Sequence, residues 1–152
     1  MSAPETIRVL IADDHPVVRE GLSALINRQP DMRVVAEAGD GSEAVEQFSL
    51  YRPDVALIDL RMRGMDGLHA ILTICRRFPG ARLVVLTTFD CNEDIYRALQ
   101  GGAKGYVLKG APREELLECI RAVRAGKSHI APAVAAKLAE RLSRLGLTER
   151  PS

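Results

Sequence analysis

Short runs of β-branched and aliphatic residues recur along the chain, and the segments between them carry apolar positions spaced by three and four. Strand period alternating with helix period is the pattern of a parallel sheet wrapped by helices. Five runs stand out, at residues 7–12, 33–37, 54–58, 82–87 and 105–109, and the third and fourth are almost continuously apolar. Such runs belong in the middle of a sheet, covered on both faces. The first helix is predicted from Val18, Leu22, Leu25 and Ile26, which fall on one face. Asp40-Gly41-Ser42-Glu43 announces the second, with an acid at the cap and a glutamate three residues on, and Ala44, Val45 and Phe48 follow on its buried side. Leu68, Ile71, Leu72 and Cys75 give the third its apolar face, and Phe78-Pro79-Gly80 stops it. Ile95, Ala98 and Leu99 mark a short fourth ending at Gly101-Gly102. A fifth has Pro112 in its first turn, buries Leu116, Leu117, Ile120 and Val123, and stops near Gly126. Beyond it, Val134, Leu138, Leu142 and Leu145 form a narrow stripe on a helix that looks added on.

A doubly wound sheet of five strands commonly takes the order 2-1-3-4-5, and its ligands bind outside the carboxyl ends of the strands where the winding reverses. The polar residues agree with that rule. Strand one ends in Asp13-Asp14, strand three in Asp59, strand four in Thr87-Thr88 and strand five in Lys109. Neighbouring strands lie about 4.8 Å apart, so three carboxylates are crowded together, an arrangement that is costly unless a cation shares the space. Magnesium suits it, because that ion accepts one or two carboxylates and keeps positions for water and phosphate oxygens; the Asp-x-Asp-x-Asp-Gly loop of a calcium site is absent. Lys109 adds a positive point charge and Thr87 a hydroxyl, both suited to a phosphoryl group.

Each residue also has a plainer reading. Asp13 and Asp14 can cap the first helix, with Pro16 in its first turn. Asp59 can be a strand-end turn residue, Thr87 a β-branched strand residue, Lys109 a solvated charge and Tyr106 an ordinary amphipathic strand residue. His15 reads as a helix-start residue, since no second histidine has metal spacing near it.

Taken together, these segments resemble the receiver domain of bacterial two-component response regulators. Val9-Leu10-Ile11-Ala12-Asp13-Asp14-His15, Pro53-Asp54-Val55-Ala56-Leu57-Ile58-Asp59-Leu60 with Met65-Asp66-Gly67, Val85-Leu86-Thr87-Thr88-Phe89, and Gly102-Ala103-Lys104-Gly105-Tyr106-Val107-Leu108-Lys109 are similar to its hallmark stretches, over roughly residues 6–126. The chain looks most like the NarL/FixJ subfamily, whose receivers precede a LuxR-type helix-turn-helix. The resemblance implies a flavodoxin-like (CheY-like) α/β fold with Asp59 as phosphoacceptor. It implies Mg2+ held by Asp13, Asp14, Asp59 and the backbone carbonyl of Arg61, with Thr87 and Lys109 contacting the phosphoryl group and Thr87 and Tyr106 as switch residues. It also implies a sensor histidine kinase as partner, a possible homodimer, and a signalling protein rather than an enzyme. Two departures stand out: Met62-Arg63 replaces the usual Met-Pro, and Gly110 follows the strand-five lysine.

The expected organisation is a receiver at 1–127, a linker helix at 128–146, and at 147–152 the start of a LuxR-type DNA-binding domain. Leu147-Thr148-Glu149-Arg150 resembles that domain's opening, and the sequence stops two residues later. DNA would then be contacted only through the missing part. The alternative is a free-standing receiver acting by protein contacts. The tail stripe can pack on its own domain, pair two chains, or cover the missing domain.

Composition narrows the remaining classes. The 152 residues carry 21 Lys+Arg against 20 Asp+Glu, which argues against a strongly basic nucleic-acid binder, and 47% hydrophobic residues argue against disorder. No apolar run nears the ~20 residues of a membrane span, and no basic-then-apolar leader opens the chain, so a cytoplasmic location without membrane contact is expected. Cys75, Cys91 and Cys119 form no CxxC pair and read as packing residues. A magnesium-dependent phosphatase or phosphotransferase with an aspartyl intermediate shares the acids and lysine. Enzymes of the haloacid dehalogenase type, however, place an Asp-x-Asp pair after the first strand, whereas these acids are adjacent. A flavin carrier is disfavoured by the absence of Trp and by an acid pair where a cofactor phosphate needs amide donors.

Overall fold

The computed structural model describes residues 6–62, 66–87 and 92–130, together with positions 135, 136, 139, 140 and 143. Strands β1 (Ile7–Ala12), β2 (Met32–Ala38), β3 (Val55–Asp59), β4 (Leu83–Thr87), β5 (Gly105–Leu108) and β6 (His129–Ile130) form one parallel sheet in the order β2-β1-β3-β4-β5-β6. Between them run α1 (Pro16–Asn27), α2 (Gly41–Tyr51), α3 (Gly67–Arg77), α4 (Asn92–Gly101) and α5 (Arg113–Arg124). This is the doubly wound, flavodoxin-like arrangement expected from the strand–helix rhythm.

Strand alternation splits the core in two. Leu10, Ala12, Ala56, Ile58, Leu83, Val85 and Tyr106 face α2, α3 and α4, while Val9, Ile11, Val55, Leu57, Val84, Leu86 and Val107 face α1 and α5. Every residue of β3 and β4 is buried, because both faces are covered. Fully burying an aliphatic side chain is worth roughly 1.5–3 kcal/mol, so these two strands anchor the domain.

Local signals explain where the helices start. The Asp40 carboxylate accepts from the Glu43 amide at 2.8 Å, and Glu43 returns the favour by accepting from the Gly39 amide, a capping box shifted back by one residue. Asp66 caps α3 in the same way through the His69 amide at 2.8 Å. Gly67 opens α3 hard against the end of β3: a Cβ there would lie 1.7 Å from the Asp59 carbonyl oxygen, a position that only glycine can occupy.

Two expectations change. The sheet has a sixth strand, and it starts inside the stretch expected to be a linker helix from residue 128. Gly126, at φ +91°, turns the chain after α5. The His129 amide then bonds to the Lys104 carbonyl at 2.9 Å, so that His129 and Ile130 pair with Gly105 and Tyr106 along the open edge of β5. Unpaired edge groups of β5 attract any extended segment beside them, which a two-residue strand has no periodicity to announce. Positions 135, 136, 139, 140 and 143 are helical. The apolar stripe of Val134, Leu138, Leu142 and Leu145, and residues 144–152, lie outside the described residues. On α3, Ile74 is fully buried while Leu72 and Cys75 only flank the core, so the face is rotated slightly from the expected one.

Candidate functional site

The register of the strands brings the polar ends together. Ala12 pairs with Ile58, so Asp13 follows alongside Asp59, and Asp59 pairs with Leu86 one residue before Thr87. Asp13 and Asp59 share the parity of Val9 and Val55, and Lys109 has the parity of Val107, so all three point to one side of the sheet edge. Lys109 Nζ stands 3.0 Å from Asp59 Oδ2 and 3.1 Å from Asp13 Oδ2. Asp13 is fully buried and Asp59 is 4% exposed, so these charges meet in a partly dehydrated pocket.

Asp13 and Asp14 do not serve as helix caps. The N-cap position of α1 falls on His15, whose side chain makes no capping bond, and the His15 amide instead donates to Asp13 Oδ1 at 2.8 Å. Arg19, one turn into α1, donates to the Asp13 carbonyl and pairs with Glu37 of β2 at 3.1 Å, pinning the acid loop to both neighbours. Arg19 has no sequence signal for this role, because Glu37 lies eighteen residues away. The Arg61 amide donates to Asp59 Oδ1 at 3.2 Å.

Burial raises the Asp59 carboxyl above its ordinary range, outweighing the hydrogen bonds from Lys109 and the Arg61 amide. Burial pulls the Lys109 ammonium down, but its hydrogen bonds and charge attraction to Asp59 and Asp13 overcome that, so the group ends above its ordinary value. Lys109 therefore stays cationic, and Asp59 is a carboxylate of enhanced basicity.

The same pocket suits a hard divalent cation. One ligand atom each from Asp13, Asp14, His15 and Asp59 lies within 4.8 Å of all the others. Opposite ligands of an ion held at about 2.1 Å stand about 4.2 Å apart, so the cluster needs to contract by only a few tenths of an ångström to close on one ion. Asp13 Oδ2 is buried with Lys109 Nζ at 3.1 Å, an anionic oxygen that can also serve a metal cation. His15 enters this set unannounced: its Nδ1 lies 3.0 Å from Asp13 Oδ1 and 3.1 Å from Asp14 Oδ1. Adjacency to the acid pair was the signal that could have marked it.

Thr87 is buried at the end of β4, and its carbonyl accepts from the Lys109 amide at 2.9 Å, tying the two phosphate-facing candidates through backbone. Gly110 has open space around it and no positive φ, and the Ala111 amide closes the turn onto the Leu108 carbonyl at 3.0 Å. The loop beyond Lys109 is thus held by main-chain bonds. Tyr106 is fully buried, its hydroxyl donating to the Ile95 carbonyl of α4 at 2.5 Å. Arg63, Met65, Thr88 and Phe89 lie outside the described residues.

Comparison with known proteins agrees with this geometry. The response regulator receiver domain family matches residues 9–121, and the chain belongs to that family. It is 47% identical over 125 residues to the oxygen regulatory protein NreC of Staphylococcus aureus, covering 82% of this chain and 58% of NreC. The chain thus spans less than two thirds of that relative. A LuxR-family two-component response regulator from Aurantimonas sp. SI85-9A1 superposes with a TM-score of 0.85 at 36% identity, over 91% of this chain and 99% of that one. The signal receiver domain of NarL from Mycobacterium tuberculosis gives 0.70 at 37% identity, over 78% and 98%. The receiver is therefore of the LuxR/NarL type. Among the described residues no helix is long and apolar enough to cross a membrane.

Proposed function

We propose that this receiver is the phosphorylation-operated switch of a two-component system, accepting a phosphoryl group on Asp59 from a sensor histidine kinase and passing the change to transcription through a DNA-binding partner domain. The observation that carries the reading is the Lys109 ammonium 3.0 Å from Asp59 Oδ2, with Asp13 and Asp14 beside it. A raised, desolvated carboxylate is a competent nucleophile without a general base. An Asp59 oxygen forms the new P–O bond as the P–N bond of the donor phosphohistidine breaks, and the leaving imidazole keeps the electron pair. Lys109, already aimed at that oxygen, then meets the charge added to it, and Thr87 supplies a hydroxyl from β4. Asp13, Asp14, Asp59 and the Arg61 carbonyl would hold Mg2+, which when bound spreads the charge developing on phosphorus.

Hydrogen bonds from Thr87 and Lys109 to the added phosphoryl group are worth ~1.5–3 kcal/mol each. Their sum approaches the ~5.5 kcal/mol that takes a two-state equilibrium from 1:99 to 99:1. The movement can reach the surface through β5, because Tyr106 links it to α4 and Ile130 of β6 pairs with Tyr106 where the chain leaves the sheet. A pair of chains joined through that surface would give the homodimer the family likeness suggests.

Incubation with a small-molecule phosphodonor and Mg2+ should add one base- and hydroxylamine-labile phosphate to the intact mass, and Asp59→Asn should add none. Equal, metal-independent labelling of both proteins would overturn the reading. Steady hydrolysis of small phosphoesters would favour the aspartyl-phosphate enzyme instead.

A further inference from the structure

His15 is the N-cap residue of α1, yet its ring makes no capping bond and turns toward the acids instead. Nδ1 lies 3.0 Å from Asp13 Oδ1 and 3.1 Å from Asp14 Oδ1, and it belongs to the set of four ligand atoms within 4.8 Å of one another. Neighbouring ligands around an octahedral ion with bonds of about 2.1 Å are about 3.0 Å apart. The ring nitrogen therefore already holds the spacing of a co-ligand to both carboxylates.

The ring is also presented rigidly. The His15 amide is bound to Asp13 Oδ1 at 2.8 Å, its carbonyl accepts from the Arg19 amide at 3.0 Å, and Pro16 sets the first helical position. The side chain is 63% exposed, so the ring edge is open to an incoming ion from solvent. A side chain that merely bridges two acids by hydrogen bonds treats all divalent ions alike. A nitrogen ligand does not: carboxylate and water oxygens suit Mg2+, whereas imidazole suits cobalt, nickel and zinc, which bind nitrogen sites more tightly.

We propose that His15 is a metal ligand that widens this pocket to first-row transition metals: Mg2+ is held through oxygens alone, from the carboxylates and the Arg61 carbonyl, and Co2+, Ni2+ or Zn2+ through the same oxygens plus Nδ1. The inference rests on the acid pocket being the metal site of the switch. Its consequence is a second class of ion that competes with Mg2+ for Asp13, Asp14 and Asp59.

The test uses the full chain, with Co2+ followed by its visible absorption and Mg2+ by calorimetry, in the native protein, His15→Asn, His15→Gln and Asp14→Asn. Asn and Gln keep a polar side chain able to bond the acids while removing the imidazole. Because losing even an outer partner of a ligand costs about 10–100-fold in metal affinity, both His15 variants should lose Co2+ affinity by about tenfold or more, with Mg2+ affinity kept within about a factor of two. Their Co2+ spectra should change as well, and Asp14→Asn should weaken both ions. Equal losses for Co2+ and Mg2+ in the His15 variants, or none for Co2+, overturn the inference while leaving the Mg2+ reading intact. Co2+ binding through His15 without any Mg2+ binding would support the inference and count against Mg2+ in the proposed function. Binding of neither ion overturns both.

Discussion

The hydroxyl of Tyr106 donates to the backbone carbonyl of Ile95 at 2.5 Å, and the ring that carries it is fully buried between β5 and α4. Burial pushes its phenol well above the ordinary tyrosine range, so it remains a neutral donor. The ring is thus turned inward, and it locks α4 to the strand that leads into Lys109. Tyr106→Phe should cost about 0.5–1.5 kcal/mol for the lost hydrogen bond, and Tyr106→Ala about 3–5 kcal/mol for the cavity. Urea denaturation checks both values, and faster amide exchange confined to α4 in Tyr106→Phe checks the tie. A Phe variant as stable as the native protein would contradict it.

Asp59 gives a pH prediction of definite sign. Its folded-state pKa is raised above 3.8, chiefly by burial, so the folded chain binds this proton more tightly than the unfolded one. The charged carboxylate therefore costs stability at neutral pH, and the cost fades as pH falls through the raised value. Asp59→Asn should melt higher than the native protein at neutral pH, and the gap should close on acidification. A gap that widens toward acid would show the sign to be wrong. Lys109 acts at the other end: its raised pKa means that its contribution is full below 10.5 and is lost as pH rises through the folded value.

Gly67 sets how closely α3 approaches the acceptor strand. A Cβ there would meet the Asp59 carbonyl oxygen at 1.7 Å and its carbonyl carbon at 2.7 Å, so backbone must move. Gly67→Ala should lose more than the ~1 kcal/mol that glycine-to-alanine changes usually gain or cost in a helix. It should also slow phosphorylation by shifting Asp59. Thermal melting and the rate of labelling by a small phosphodonor are the measurements, and an unchanged melting temperature would count against it.

Arg121 of α5 holds Asp31 at the start of β2 through two hydrogen bonds of 2.8 and 3.0 Å. Hydrogen bonding to Arg121 lowers the Asp31 pKa, and its contribution, present above pH 3.8, is lost as pH falls through the folded value. Both side chains are more than a third exposed, and solvent screening limits the coupling to about 0.2–1 kcal/mol. A double-mutant cycle with Asp31→Asn and Arg121→Gln should find it at neutral pH and lose it in strong acid. Coupling that persists there would assign it to packing.

Much of this was readable from the chain because it depends on local period and composition. The alternation of β3 and β4 with helical stripes, the capping acid Asp40, and the polar residues at the ends of strands one, three, four and five all follow from neighbours in sequence. Placing Asp13, Asp59 and Lys109 in one pocket needed one further rule, the 2-1-3-4-5 winding, and that rule came from the strand–helix order itself. What required tertiary structure was every contact between residues far apart or too short to carry a period. Pairing of His129 and Ile130 with β5 depends on an open strand edge, and the grip of Arg19 on Glu37 depends on the packing of α1 against β2. The His15 ring reaches both acids because Pro16 and the Asp13 carboxylate fix where the helix begins, and the inward Tyr106 is decided by space beside α4. Local sequence sets which element forms and which face is apolar, whereas distances of about 3 Å between side chains are set only when the elements pack.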